Sequence, residues 1–203
     1  MKTKILTALI LLAVLNTACS RELGRCGLTE EQKKVIPYEK GQIISFIDGA
    51  DQAVDLTVTE IKTEWYKETE GSFRDDYVSL GIKTAMLKSE SNKLEIYLRL
   101  VANGCSYGND YCSLEIRVTP TPNQGYFKFT SDAEGIFLTF GSPSFHDSIE
   151  INNKVYYDVA ESKFYSTSHN VNVPEIPMQL FYNKTCGILQ INRDGENFLT
   201  ISN

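Results

Sequence analysis

Strict alternation of apolar and polar residues is the feature that most constrains the fold of this chain. Residues 94–101 read LEIYLRLV, and residues 114–119 read LEIRVT. Because successive side chains of a β-strand point to opposite faces, each segment is predicted to form a strand with one face in a core and the other mostly in water.

Shorter alternating segments recur along the chain from residue 43 to its end, separated by turn sequences. Asn152-Asn153 and Asp194-Gly195 are the clearest turns, because these residue types tolerate the left-handed backbone of tight hairpins. About ten short strands with little helix predict a mainly β fold, a single antiparallel β domain forming a partly closed barrel or a sandwich. Bent strands and many aromatic residues favour the barrel.

Three local features refine this prediction. Leu56 and Val58 share one strand face, whereas Ile61, Thr63 and Trp65 have the opposite parity, so a bulge or bend is expected between the two sets. Residues 29–32, TEEQ, resemble a capping box and predict one short N-terminal helix over about residues 30–35, acting as a lid or spacer. Residues 162–177, which contain two prolines, are predicted to form a long loop.

The N-terminal residues predict export. Lys2 and Lys4 precede an unbroken apolar run over residues 5–15, which is too short to form a permanent membrane span. Cys19 follows this run and resembles the cysteine of bacterial lipoprotein signals, which is acylated and becomes the first mature residue. The predicted organisation is a signal peptide over 1–18, a lipid-anchored tether over 19–28 and an antiparallel β domain over 29–203.

Net charge restricts the possible partners. The formal charge of −6 becomes −8 once Lys2 and Lys4 are removed with the signal peptide. An acidic surface repels phosphate, which argues against nucleic acid and anionic lipid headgroups as ligands. No second apolar run approaches membrane-spanning length, so the expected membrane contact is the lipid anchor alone.

Cysteine parity agrees with export. The chain has five cysteines, and acylation of Cys19 would leave an even set of four. Cys105 and Cys112 flank a short loop and are predicted to pair, which leaves Cys26 to pair with Cys186. Free thiols and a zinc site remain alternatives, although neither histidine lies at ligand spacing from a cysteine.

Both ends of the predicted mature domain resemble small Bacteroidota-type lipoproteins of unknown function. The resemblance lies in residues 26–46 and in the hairpin sequences 148–159 and 181–189. It implies a β-rich fold and an outer-membrane location with the domain facing the periplasm, because residues 20–22 lack the acidic run that directs such proteins outward. It also implies possible O-glycosylation of Ser148 within Asp147-Ser148-Ile149. The resemblance implies no activity.

Candidate sites are few. Five aromatic residues are considered for a cavity that would take an apolar or sugar ligand: Trp65, Tyr66, Tyr97, Tyr156 and Phe181. Core packing and cross-strand pairing are the competing interpretation. Residues 141–148, which include His146, lack the context of a hydrolase nucleophile and are interpreted as a polar surface loop. Asp48, Asp51 and Asp55 lie at intervals of three and four but do not match the twelve-residue calcium loop. No metal, cofactor or catalytic residue is therefore predicted.

These observations favour an envelope lipoprotein that acts by binding another envelope protein or a small ligand. Two alternatives stay open. One is a hydrolase acting on envelope polymers through His146 or loop carboxylates, and the other is a purely structural tethered domain. A filled interior without a cleft would favour the structural role.

Overall fold

Thirteen β-strands and one short helix form the described part of the chain. The computed structural model describes residues 22–69, 76–91, 93–103, 111–119, 126–135, 137–138, 144–166 and 176–202. The elements are β1 (Glu22–Cys26), α1 (Glu30–Lys33), β2 (Ile43–Asp48), β3 (Ala53–Thr69), β4 (Tyr77–Lys88), β5 (Glu95–Asn103), β6 (Tyr111–Thr119), β7 (Phe127–Ser131), β8 (Phe137–Leu138), β9 (Ser144–Ile151), β10 (Lys154–Ser166), β11 (Ile176–Asn183), β12 (Gly187–Arg193) and β13 (Glu196–Ile201). The predicted mainly β, antiparallel class is confirmed, with more strands than the ten expected.

The strands form one sheet that curls into a half-barrel. Its order is β8-β7-β6-β5-β4-β3-β2-β13-β12-β11-β10-β9, and every pair along this path is antiparallel. The strand path therefore follows the chain from β2 to β8 and from β9 to β13, and the pairing of β13 with β2 joins the two runs. β7 and β10 come into contact near the two ends of the path.

Strand β3 contains the predicted bulge. Val58 pairs with Leu87 and Glu60 with Met86, so Thr59 is an extra residue in β3. The insertion reverses which residues point inward: Val54, Leu56 and Val58 are buried before it, whereas Ile61 packs on the core after it. The parity change in the sequence thus had a local backbone cause.

Two hairpins adopt the left-handed backbone that their sequences predicted. Asn152 and Asn153 have φ values of 51° and 59° between β9 and β10, and Asp194 and Gly195 have 55° and 80° between β12 and β13. Positive φ at both central residues is the type I′ pattern, whose twist matches that of the flanking strands. These turns therefore fix the register of β9 with β10 and that of β12 with β13.

The largest core cluster fills the inside of the curl. It includes Phe46 of β2, Leu98 of β5, Phe129 of β7 and Tyr182 of β11, all essentially inaccessible to solvent. The rings of Phe129 and Tyr182 lie 5.7 Å apart, so strands near opposite ends of the sheet path meet across the interior. The interior is filled by side chains contributed from both halves of the sheet.

The N-terminal segment differs from its prediction in two ways. Residues 22–26, expected to belong to a polar tether, form β1, which pairs in parallel with β4. The helix is shorter than predicted, ending at Lys33, but Thr29 and Gln32 form the expected capping box. Val35, Ile36 and Tyr38 then enter the main core, so this segment is an integral part of the fold and not a spacer.

Two tyrosine hydroxyls connect this segment to the closing strands. Tyr38 accepts a hydrogen bond from the backbone N–H of Ile188 at 2.7 Å, and Tyr182 donates one to the carbonyl of Val35. Gly187 has φ of +82°, and a Cβ placed there would lie 2.1 Å from the Tyr38 hydroxyl. The β11–β12 turn is therefore shaped around the Tyr38 ring.

Two predicted loops are also wrong in part. β10 continues to Ser166, within the segment predicted as a long loop, and β11 begins at Ile176. His146 lies on β9, whereas a surface loop was expected. In both places, residues that were predicted to form a loop because they are polar are instead paired in a strand.

Candidate functional site

The outer half of β3 forms an open strand edge. Hydrogen bonds from Gly41 N–H to the Val58 carbonyl (2.8 Å) and from Val58 N–H to the Gln42 carbonyl (2.9 Å) end the contact with the β2 side. Beyond Val58, β3 pairs only with β4 among the described residues. The open edge, residues 59–69, therefore presents unpaired backbone groups to a strand that could add beside it.

The side chains of the open edge are exposed on both faces. From residue 59 to residue 69 every side chain is exposed except Ile61, which is half-buried. Trp65 and Tyr66 expose 50% and 48% of their surface. Alternation points the two rings to opposite faces, so a strand added here would contact an aromatic side chain on either face.

Cationic side chains hold these rings in place. The Arg25 guanidinium lies 4.3 Å from the centre of the Trp65 ring, and the Trp65 ring also packs beside Gly27. On the other face, Arg99 lies 5.6 Å from the centre of the Tyr66 ring. Cation–π contacts of this kind restrict the aromatic rotamers, so less side-chain entropy is lost when a partner covers them.

The second candidate feature is a cleft of about 540 Å³ beside α1. Its wall includes four lysines: Lys33, Lys34, Lys83 and Lys184. Lys83 donates hydrogen bonds of 2.8 Å to the carbonyls of Lys33 and Ile36, which fixes the C-terminal end of α1. Burial lowers the pKa of Lys83, and the positive charge of Lys33 lowers it further.

The cleft lysines are largely satisfied within the chain. Lys33 and Lys34 each form an ion pair with the glutamate three residues earlier, at 2.6 and 2.5 Å. Lys83 serves as a structural donor to α1. Three of the four ammonium groups thus already have partners within the chain. The cleft therefore has fewer free polar groups for a ligand than the open edge, whose outer backbone groups have no partner strand among the described residues.

The five aromatic residues proposed as a cavity lining do not come together. Trp65 and Tyr66 lie on the open edge, and Tyr97 is half-buried on β5. Tyr156 and Phe181 are buried in a separate cluster with Val159 and Leu189. None of the five borders the lysine-lined cleft. Trp65 and Tyr66 stack with arginines at the surface, whereas Tyr156 and Phe181 pack in the interior. The prediction that the five residues line one cavity is therefore wrong.

Both predicted disulfide pairings are also wrong. Cys112 and Cys186 are free thiols, whereas Cys26 is disulfide-bonded and buried. The Cys112 sulfur lies 2.9 Å from the Ser131 hydroxyl on β7, and burial raises its pKa to about 11. Cys112 is thus an unreactive core thiol. Cys105 lies outside the described residues.

His146 has a carboxylate partner but no described nucleophile. Its Nε2 lies 2.8 Å from Glu161 Oε2, and its ring packs near Phe181. Burial would raise the pKa of Glu161, but hydrogen bonds from Lys163, Gln179 and His146 outweigh burial and hold it below its usual value. Within the described residues, no serine or cysteine side chain hydrogen-bonds to His146, so this polar cluster lacks the geometry of a catalytic triad.

The remaining predicted sites are the glycosylation site Ser148 and the lipidation site Cys19. Ser148 is exposed on β9, which is compatible with modification, and Cys19 lies outside the described residues. No group of three metal-binding side chains occurs in the described ranges. No helix in the part of the chain that the structure describes is long and apolar enough to cross a membrane. Compared with protein-family models, curated proteins and solved structures, the chain matches none.

The open edge was the feature that the sequence analysis missed. Its signal lies in residues 59–69, TEIKTEWYKET, where polar or charged residues occupy both alternating positions. A strand with one face in a core does not show that pattern. A strand with two polar faces indicates a segment that projects beyond the core, which is what the structure shows for this half of β3.

Proposed function

We propose that this protein is a lipid-anchored envelope protein that acts by binding another protein through strand addition at the open edge of β3. The observation that supports binding is the combination of an 11-residue strand segment, whose outer edge has no partner strand among the described residues, with Trp65 and Tyr66 exposed on its two faces. Added strands gain affinity from main-chain hydrogen bonds and specificity from side chains on either face.

Strand addition is favoured over small-ligand binding because the backbone N–H and C=O groups on the outer side of the open edge have no partner strand among the described residues. Natural proteins normally protect long exposed edges, because unpaired N–H and C=O groups invite association. Lys62 and Lys67 on this edge supply some protection through charge, but the neighbouring aromatic residues oppose it. An edge that keeps exposed aromatic residues is better explained by a partner than by chance exposure.

A photo-crosslinking experiment in cells tests the proposed surface. A photoreactive amino acid replaces Glu64, which is exposed on the open edge, or Lys128, which is exposed on β7 and serves as the control. We expect a crosslinked protein product at position 64 and none at position 128. Equal crosslinking at both positions, or none at position 64, would contradict the proposal.

Proline substitution separates pairing at the edge from general damage. Backbone N–H groups of consecutive strand residues point to opposite sides, so of Thr63 and Glu64 one N–H faces β4 and the other faces the open edge. Proline at the outward position should leave stability nearly unchanged and abolish the crosslink. If the variant that retains stability also retains the crosslink, the partner does not add a strand here.

Anchoring through Cys19 is a separate part of the proposal and has its own test. Labelled palmitate should enter the full-length chain in cells and should not enter the Cys19→Ala variant. Label in both chains, or in neither, would contradict anchoring through Cys19. The crosslinking experiment would still test the binding surface independently.

A further inference from the structure

We propose that the open edge of β3 binds the same edge of a second copy of this chain, in an antiparallel register centred on Trp65. This inference rests on the proposed binding role of the edge. Two identical strands related by a two-fold axis must pair about a residue that faces its own counterpart. Each possible register can therefore be named by its central residue and judged by the residue pairs that it brings together.

Steric constraints exclude a register centred on Thr63. That register places the partner's Glu68 opposite Val58, at the position where Gly41 and Gln42 already bond to Val58. The partner's Thr69 would lie opposite Thr57, which is paired with Ile43. The end of β2 thus blocks any register that runs past the bulge.

Charge excludes the registers on either side of Trp65. Centring on Glu64 places that carboxylate opposite its own copy and also places Glu60 opposite the partner's Glu68. Centring on Tyr66 places Glu64 opposite the partner's Glu68 twice. Like charges directly opposite each other on adjacent strands are destabilising, so neither register is favoured.

The register centred on Trp65 satisfies both constraints. It fits within residues 61–69, and it places Lys62 opposite the partner's Glu68 in two symmetry-related ion pairs. Lys62 pairs within its own chain with Glu60 at 2.6 Å and is half-exposed, so its ammonium group can also approach the partner's Glu68. Trp65 faces its own counterpart on one face of the joined sheet, where Arg25 already holds the ring. Aromatic and opposite-charge cross-strand pairs are the combinations that stabilise antiparallel strands.

Charge reversal in full-length chains provides the test. Two copies with different affinity tags are produced together, extracted in detergent, and the second tag is measured after purification on the first. Lys62→Glu and Glu68→Lys each turn two attractive pairs into two repulsive ones. Each single variant should therefore co-purify with itself at least about tenfold less than the unmodified chain does.

The decisive outcome is restoration by mixing. A chain with Lys62→Glu, combined with a chain with Glu68→Lys, forms attractive pairs again and should co-purify nearly as well as the unmodified chain. The double variant should also self-associate. Glu134→Lys, a reversal in the exposed turn after β7, four strands away in the sheet, should have no effect.

Other outcomes overturn the inference in distinguishable ways. Loss in both single variants without recovery on mixing would exclude this register. An unmodified chain that does not co-purify with itself, while position 64 still crosslinks to a different protein, would exclude self-pairing but keep strand addition. Urea unfolding of each variant, with midpoints near that of the unmodified chain, ensures that loss of pairing is not loss of folding.

Discussion

Removing the hydroxyl of Tyr38 should destabilise the protein although the ring remains. Tyr38 is 3% exposed, and its oxygen accepts the N–H of Ile188, which is itself fully buried. Tyr38→Phe would leave that N–H without an acceptor in a packed interior. Burial raises the pKa of Tyr38 far above its usual value, so the group acts as a neutral hydroxyl at any ordinary pH.

The magnitude follows from the cost of an unsatisfied buried donor. Leaving such a group unpaired costs about 1–3 kcal/mol of unfolding free energy. For a chain of this size, a loss of about 2 kcal/mol corresponds to a fall in melting temperature of roughly 4–8 °C. The volume change is negligible, so cavity formation adds little to this figure.

Urea unfolding followed by tryptophan fluorescence and circular dichroism gives the measurement. Tyr157→Phe is the matched control, because Tyr157 is 67% exposed and the same atom is removed. The control should change the unfolding free energy by less than about 0.5 kcal/mol. Equal stability of the two variants would contradict the prediction, because it would mean that the Ile188 N–H finds another partner, such as water.

The β11–β12 turn and the cysteine of β1 each allow a further test. Gly187→Ala and Gly195→Ala both replace a glycine with positive φ, but only the first places a Cβ against Tyr38, whereas the second meets open space. Gly187→Ala should therefore lower the unfolding free energy by about 2 kcal/mol more than Gly195→Ala in the same urea titration, and similar losses would contradict the packing. Cys26 is disulfide-bonded and shares a buried cluster with Val101 and Ala102 of β5, so we expect its disulfide partner to be Cys105, which follows β5 in the chain. Non-reducing peptide mass spectrometry should detect this link, and a link to any other cysteine would exclude it.

Local features of the fold could be predicted from the sequence. Thr59 was expected to lie near a bulge because side-chain parity changes around it, and Asn152 and Asp194 were expected in tight turns because they tolerate positive φ. The capping box at Thr29 was likewise a short-range pattern. Each of these depends on residues a few positions apart, where alternation and backbone preference carry the information.

Long-range features could not be predicted in this way. Alternation assigns the faces of β2 and β13 but does not state that these strands are neighbours, so their pairing could not be predicted. The polar residues of β1 hide a strand whose pairing uses main-chain groups alone, and composition therefore indicated a tether. The free Cys112 thiol was misassigned because spacing along the chain does not report which side chains meet in space.

The sheet order also has a consequence for how the molecule acquires its shape. All pairings along the main path join strands that follow one another in the chain, except that of β13 with β2, whose residues are more than 150 positions apart. Two meanders can each form through short hairpins, but uniting them requires closing one very long loop at an entropic cost. That single seam is expected to set the folding rate, and mutations along it should slow refolding more than equally destabilising ones within either meander.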